Sequence, residues 1–505
     1  MPLTAPADQS RVHARAQLGM GAPVITVETH LPGGLPGFTL VGMPETAVRE
    51  ARDRVKSAIG NCGLDFPQGR VLVNLAPADL TKQGARLDLA IAVSVLSATG
   101  QVPWGNVQRF EYLGELALGG GLRSVGGALC AALALAAQGG SRQLVAPKAN
   151  LAEFAMAPQG SVVPIPHLRD VVKLLHTSDT TPWPQPSPAS REPATTMNLD
   201  QIVGQQAAKR ALAVAASGRH HLLLVGPPGV GKTLLARSLN ELLPELRPDA
   251  AREVAAVQSA AGLEVIPFLA PFRDPHHSAT APAMVGGGRS AQPGEISLAH
   301  HGVLFLDELP HFKPSVLNLL REPLESQTIE LARSDYRATF PAAFQLMAAM
   351  NPCPAGLVCE ESACRCSPNQ VRRYQARISG PLLDRIDLHV PAMPIPGHLL
   401  LHESPEANGA ELREQVARAQ SHQLRRQGKL NAALSPGQVR KVAQPDSAAV
   451  TLLLDASEKF RLSARAVHRV LKVARSIADL DECDGVSAHH LAEAVSYRAM
   501  DWNPP

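Results

Sequence analysis

The stretch Leu222-Leu-Leu-Val-Gly-Pro-Pro-Gly-Val-Gly-Lys-Thr233 decides the fold. An apolar run that fits a buried strand leads directly into G-x-x-x-x-G-K-T, the phosphate loop of nucleotide-binding proteins. Gly226, Pro227, Pro228, Gly229, Val230 and Gly231 form the loop, and its glycines let backbone N–H groups turn inward without a Cβ in the way. Lys232 is placed to reach the β- and γ-phosphates of ATP, and the Thr233 hydroxyl to ligate Mg²⁺. The following residues, 234–243, read as a helix whose N-terminus faces the anion.

A second apolar run ends in acids: Val303-Leu-Phe-Leu-Asp-Glu308. Two adjacent carboxylates at a strand end repel one another unless a cation is near, so the pair implies a metal. In this reading Asp307 holds Mg²⁺ through water and Glu308 orients and deprotonates the attacking water. The 75 residues from Lys232 to Asp307 leave room for helices and one further strand.

Three more residues fit a ring ATPase. Asn351 follows the apolar run 345–350 and can bond the γ-phosphate or the water. Arg385, in Asp-Arg-Ile-Asp387, is placed for presentation to a neighbouring subunit's nucleotide, a contribution worth about 10³–10⁵ in rate. Arg465, one turn into a late helix, can meet the nucleotide of its own chain, with Arg461 and Arg469 as competitors for that role.

Around this centre the 505-residue chain divides into segments. Residues 1–176 read as a mixed α/β domain, with strands at 24–29, 38–41 and 71–75 and helices at 45–59, 87–96 and 129–137. Residues 177–196, containing Pro-Trp-Pro-Gln-Pro-Ser-Pro, read as a linker. Residues 197–396 read as the ATPase core, a parallel sheet with helices on both faces. Residues 397–409 are a second break. Residues 410–505 read as a small α-helical lid, with Ser463 and Ser487 as helix caps.

With 45% hydrophobic and 18% charged residues and a net charge of +3, the composition is that of an ordinary soluble protein, and charge alone does not point to nucleic acid. No apolar run reaches the ~18 residues that span a bilayer. The start of the chain does not read as a secretory signal. Seven cysteines without a disulfide-like pattern fit a reducing cytoplasm. Four of them, Cys353, Cys359, Cys364 and Cys366, lie close enough to hold one structural Zn²⁺, and equally fit a set of free thiols.

Four longer motifs carry a resemblance: Gly-Gly-Leu-Pro-Gly-Phe-Thr-Leu-Val-Gly-Met-Pro (33–44), Phe-Arg-Asp-Pro-His-His-Ser-Ala-Thr (272–280), Pro-Gly-Glu-Ile-Ser-Leu-Ala-His (293–300) and Ser-Gly-Pro-Leu-Leu-Asp-Arg-Ile-Asp (379–387). On these, nearly the whole chain resembles the magnesium-chelatase-like AAA+ ATPases known as YifB or ComM. The resemblance implies an AAA+ core that uses ATP and Mg²⁺. It makes Asn351 a first sensor, Arg385 a trans-acting finger and Arg465 a second sensor, in a homohexameric ring. It also implies work on single-stranded or branched DNA, independent of sequence, as a branch-migration helicase beside recombination proteins in natural transformation. A magnesium-chelatase-type metal-insertion motor and a protein-remodelling ATPase are the alternatives.

The first domain resembles the Lon-protease-like fold, of the ribosomal S5 domain 2 type. Lon-type proteases need a Ser nucleophile and a Lys base. The matching segments here are Lys82-Gln-Gly-Ala-Arg-Leu-Asp88 and Val125-Gly-Gly-Ala-Leu-Cys130, which place Arg86 and Leu129 at those positions. Neither does acyl transfer, and Cys130 reads as a buried structural thiol.

Candidate polymer-gripping loops are residues 273–289, with Arg273, His276, His277 and Arg289; a hairpin over 328–337, with Arg333 and Arg337 near its tip; and Arg372, Arg373 and Arg377.

Overall fold

The computed structural model describes residues 9–42, 50–80, 82, 84–177, 198–288, 291–333, 336–356, 366–395 and 408–498. The first domain is built on strands β1 (Gln9–Arg15), β2 (Val24–His30), β3 (Gly37–Val41), β4 (Arg70–Ala76), β5 (Phe110–Tyr112), a short ribbon of β6 (Glu115–Leu116) and β7 (Leu122–Arg123), β8 (Gln143–Pro147) and β9 (Val162–Ile165). Seven of them form one mixed sheet in the order β3-β4-β2-β1-β5-β8-β9. Alternation drives it: Val12 and Ala14, Ile25 and Val27, and Val71, Val73 and Leu75 all point into one core. The helices Ala51–Asn61 and Asp88–Ala98 cover that face. The expected strands are present, extended by a residue or two. The helix expected over 45–59 is described only from Ala51, and Val48 lies outside the described residues. Thr177, assigned to the linker, instead ends the helix Leu168–Thr177; residues 178–197 lie outside the description.

The ATPase core contributes β10 (Leu222–Val225), β11 (Phe272–Arg273), β12 (Gly286–Gly287), β13 (Gln292–Pro293), β14 (Val303–Leu306), β15 (Thr328–Ala332), β16 (Arg337–Pro341), β17 (Gln345–Met350) and β18 (Leu388–Pro391). Five form an all-parallel sheet in the order β11-β14-β17-β10-β18. Strands buried on both faces are nearly continuously apolar, as β14 is throughout and β17 is after Gln345. Because all five run in one direction, their carboxyl ends share one edge. The connections diverge beside β10, the usual position of a ligand crevice in such sheets.

Beyond the core sheet, a helical region begins with Gly409–Gln427 and ends with Ala488–Ser496. Ser463 caps the helix Ala464–Leu480 by accepting from Ala466 N, and Ser487 forms a capping box with His490. Val470, Leu471, Val473, Ala474 and Ile477 of that helix share one apolar core with the ATPase helix Gln206–Gly218.

The two α/β domains meet along helices Ala128–Ala137 and Pro248–Ala260. Gly127 N donates to Ser259 O at 2.7 Å, and Ser259 Oγ donates to Glu153 at 2.5 Å. Gln17 adds a bond to Ala260 O at 2.6 Å. Ala128, Leu129, Ala255, Ala256 and Ala260 form a single apolar cluster across the joint. Among the described residues, no helix is long and apolar enough to cross a membrane.

Candidate active site

The phosphate loop leaves β10 at Gly226. A Cβ there would sit 2.2 Å from the carbonyl oxygen of Ala392, so this glycine serves close packing against the neighbouring strand. Gly231, at φ +84°, turns the chain into the helix Lys232–Leu242.

The buried Lys232 points back over the loop. Its Nζ donates to Gly226 O at 2.8 Å, Pro227 O at 2.9 Å and Asn351 Oδ1 at 3.0 Å. Three oxygens thus gather around the ammonium as phosphate oxygens would. Burial pushes its pKa down from the ordinary lysine value, against the pull of Asp307 and Glu308. Asn351 arrives here by register: β10 pairs with β17 so that Val225 faces Met350, and Gly226 N donates to Met350 O. One strand over, β14 delivers the acids. Thr233 Oγ1 donates to Asp307 Oδ2 at 3.1 Å, so the two expected Mg²⁺ ligands already touch. The donor set suits Mg²⁺, which prefers few hard oxygen ligands and keeps several waters.

Glu308 stands in the left-handed region, φ +53°. Among the described residues its carboxylate meets two histidines: His311 Nδ1 lies 3.0 Å from Oε2, and His277 Nδ1 lies 3.4 Å from the same oxygen. The bond to His311 is the main force holding the Glu308 carboxyl below its ordinary pKa, with His277 and His276 adding to it. Asp274 sits opposite Asp307; burial first, and then that like charge, raise its pKa.

Arg273 is held by Glu295 in a two-pronged pair at 2.6 and 2.8 Å, and His277 faces Glu308, so neither is free to grip a strand. The hairpin over 328–337 is present as β15 and β16, and its Arg333 lies against Gly287 of the neighbouring β12–β13 ribbon. Tyr336 ties the two together through Gly288 O at 2.6 Å. Arg289 lies outside the described residues. Arg372 and Arg373 are exposed on the helix Pro368–Gln375, and Arg377 reaches Pro310 O.

Arg385 makes no bond with its own phosphate loop among the described residues. Its side chain, 12% exposed, folds onto Glu325 Oε1 at 2.5 Å and Pro381 O at 2.6 Å. Arg465 is exposed, and no hydrogen bond or ion pair holds it among the described residues. Of its two competitors, Arg469 has defined partners, Arg385 O and Asp387. The sequence reading missed Asp274, His277 and His311 as neighbours of the acidic pair. The His-His and D-R-I-D motifs were visible, but their partners were not.

The zinc reading finds no support. Cys353 is buried and Cys366 half-buried, while Cys359 and Cys364 lie outside the described residues. A different cluster, Glu253, His300 and His301, has metal-like spacing among the described residues. His300 Nδ1 accepts the N–H of Ala343 at 3.0 Å, which places the imidazole proton on Nε2, facing Glu253 at 2.9 Å. The cluster is therefore a hydrogen-bonded triad.

At the domain joint, Arg86 donates to Gly126 O, and Cys130 donates to Ala256 O at 3.3 Å. Burial pushes the Cys130 thiol up to about 12, so it is protonated and unreactive.

Three family profiles match the chain: "Magnesium chelatase, subunit ChlI" over residues 198–398, "Subunit ChlI of Mg-chelatase" over residues 27–150, and "Magnesium chelatase, subunit ChlI C-terminal" over residues 406–498. The chain is 46% identical to protein YifB of Salmonella typhimurium over 494 residues, and 46% identical to YifB of Escherichia coli (strain K12) over 496. It is 45% identical to competence protein ComM of Haemophilus influenzae over 497 residues. Each alignment covers 97% of both chains.

Proposed function

The chain belongs to the YifB/ComM family of magnesium-chelatase-like AAA+ proteins, and on that premise we propose that it is an ATP-driven, ring-forming motor that migrates branched DNA. The observation that carries the ATPase part is the convergence of Lys232, Asn351, Thr233 and Asp307 within hydrogen-bond distance at the carboxyl edge of one parallel sheet. The similarity to a competence protein supports the DNA part.

ATP sits with its phosphates over the loop 226–231, at the N-terminus of the helix Lys232–Leu242. The Lys232 ammonium exchanges its carbonyl partners for phosphate oxygens. Thr233 and Asp307 would hold Mg²⁺, which would supply charge neutralisation at the phosphates. Glu308, kept ionised and oriented by His311 and His277, takes the proton of the attacking water. Asn351 fixes the γ-phosphate or that water. Arg385 completes the site of the next subunit in a homohexamer, stabilising charge on the transferring phosphoryl group. The first domain, with a Lon-protease-like ancestry and no acyl-transfer chemistry, acts as a scaffold clamped to the motor at Ser259. The motor works in the cytoplasm.

The profile descriptions favour a second reading, a magnesium-chelatase-type metal-insertion motor. The deciding experiment is ATP-dependent migration of a labelled three- or four-strand DNA junction by the purified protein, with Glu308→Gln as control. Migration by the wild type alone supports the DNA motor. No migration, together with no stimulation of ATP hydrolysis by DNA, rejects it in favour of the second reading.

A further inference from the structure

The segment that carries Arg385 is gripped from the lid. Arg469, on the helix Ala464–Leu480, sends NH1 to the carbonyl of Arg385 itself at 2.6 Å and to Asp387 Oδ1 at 2.9 Å. Arg498, just past the helix Ala488–Ser496, donates from NH2 to Ile386 O at 2.9 Å and Asp384 O at 3.2 Å. Four consecutive residues, 384 to 387, thus each offer one acceptor to two lid arginines. The lid touches the next strand too: His389 N of β18 donates to Tyr497 O at 2.9 Å.

The other side of the segment is fastened to the root of the phosphate-loop strand. Asp387 N donates to His221 O at 3.0 Å, and Asp387 Oδ2 accepts from His221 N at 3.3 Å. The segment therefore lies between β10 and the lid, with the Arg385 side chain projecting the opposite way, onto Glu325. Surface arginines are usually solvated and loosely held. These two spend donors on backbone carbonyls of a single short turn, which fixes the turn's position with respect to the lid.

We infer that Arg469 and Arg498 are positioning residues for the trans-acting finger, making the placement of Arg385 a function of the lid of its own chain. The inference rests on the reading of Arg385 as a finger. The lid helix packs on the ATPase helix Gln206–Gly218, which leads into the strand carrying the phosphate loop. Nucleotide in one subunit's site thereby bears on the arginine that the subunit offers to the next. A displacement of ~1 Å at such a group can cost ~10²-fold in rate. Arg465, one turn earlier and unheld, is not the lid arginine that acts in this way.

Mixed rings test it. An Arg469→Ala chain has an intact catalytic site and a misplaced finger. A Glu308→Gln chain has a dead site and an intact finger. Each alone is expected to hydrolyse ATP about tenfold more slowly than wild type, or worse. Mixed in equal amounts, they are expected to recover about a quarter of the wild-type rate, because a head-to-tail ring places a Glu308→Gln finger on an Arg469→Ala site at one interface in four. Arg498→Ala is expected to behave alike, which covers the case in which Arg469→Ala fails to assemble. Arg469→Lys keeps the charge but, on a shorter side chain, not the reach with which NH1 meets both acceptors, and is expected to fall between.

Arg385→Ala mixed with Glu308→Gln is the reference. Should that pair recover activity while both the Arg469→Ala and the Arg498→Ala mixtures stay inactive, the lid arginines act on their own chain's nucleotide and the inference is overturned. Should the reference pair itself recover nothing, the finger reading fails and takes the inference with it. ATP-analogue binding and sedimentation of each variant show that the losses are not losses of folding.

Discussion

His311 Nδ1 lies 3.0 Å from Glu308 Oε2, on the turn that immediately follows the acidic strand end. His277 approaches the same oxygen at 3.4 Å from a different loop, the one carrying Asp274. With Oε2 occupied in this way, Oε1 is left for the water. Loss of one clasp frees the carboxylate to rotate without removing it. His311→Ala is expected to lower kcat about tenfold, a part of the ~10²–10⁴ that a positioned base contributes, with KM for ATP little changed. A kcat equal to that of wild type would show the contact to be incidental.

Lys232 and Asn351 share a hydrogen bond at 3.0 Å, but removing them should have different effects. The ammonium is the charge that holds the phosphates, so Lys232→Ala is expected to abolish nucleotide binding in a fluorescent-analogue titration. Asn351→Ala leaves that charge in place and removes only a polar group near the γ-phosphate. It should bind nucleotide within a few-fold of wild type and turn it over at least ~10-fold more slowly. Tight ATP binding by Lys232→Ala would remove the nucleotide assignment altogether.

What could be read in advance follows from how local each signal is. β10, β14 and β17 are mainly apolar, buried runs that lead directly into the site, β10 into the glycine loop, β14 into Asp307 and β17 into Asn351; both halves of that pattern lie within a few consecutive residues. β11 has only two residues and β18 contains His389 and Pro391, so neither shows a strand-like period. Roles set by distant partners were less legible. Arg273 looked available for phosphate until Glu295, 22 residues on, neutralised it. Arg469 looked like a neighbour of Arg465 until folding brought it to Asp387, 82 residues away. Nothing in the sequence places residue 277 beside residue 308, so from the sequence alone His277 reads as a polymer contact.

Acid should destabilise the protein well before its carboxylates protonate. His300 is 3% exposed, and its Nδ1 is committed to the N–H of Ala343. Burial, with His301 beside it and Arg219 nearby, pushes its pKa down to about 4, although Glu253 pulls the other way. Its folded-state pKa therefore lies below the unfolded value near 6.5. The unfolded chain takes up the proton first as pH falls, and the stability present above about 6.5 is lost progressively towards about 4. The full shift corresponds to on the order of 3 kcal/mol, a sizeable share of the ~5–15 kcal/mol typical of a domain. Urea unfolding at pH 7.5, 6 and 5 should show this decline. His300→Asn, which keeps an acceptor for Ala343 but cannot be protonated, should reduce the decline by the His300 share, leaving that of His221 and His389, which burial also pushes down to about 4. A variant with an unchanged pH slope would assign the loss to other groups.

The joint between the first domain and the motor makes Cys130 an unreactive thiol. It lies against the backbone of Ala256 under an apolar cluster drawn from both domains, and burial holds it protonated. Cys483, by contrast, is exposed. Iodoacetamide at pH 8 should therefore label Cys483 within minutes and leave Cys130 unmodified until the protein is denatured, as peptide mapping would report. Rapid labelling of Cys130 in the native protein would mean that the joint opens, and would revive a nucleophilic role for this thiol. Ser259→Ala sharpens the test. It removes the hydroxyl that donates to Glu153 and accepts from Leu129 N, at a cost of about 1 kcal/mol, since Leu129 N and Asn150 still bond Glu153. If the joint is held as described, that variant labels at Cys130 faster than wild type while its ATP binding, which depends on the far edge of the core sheet, is unchanged.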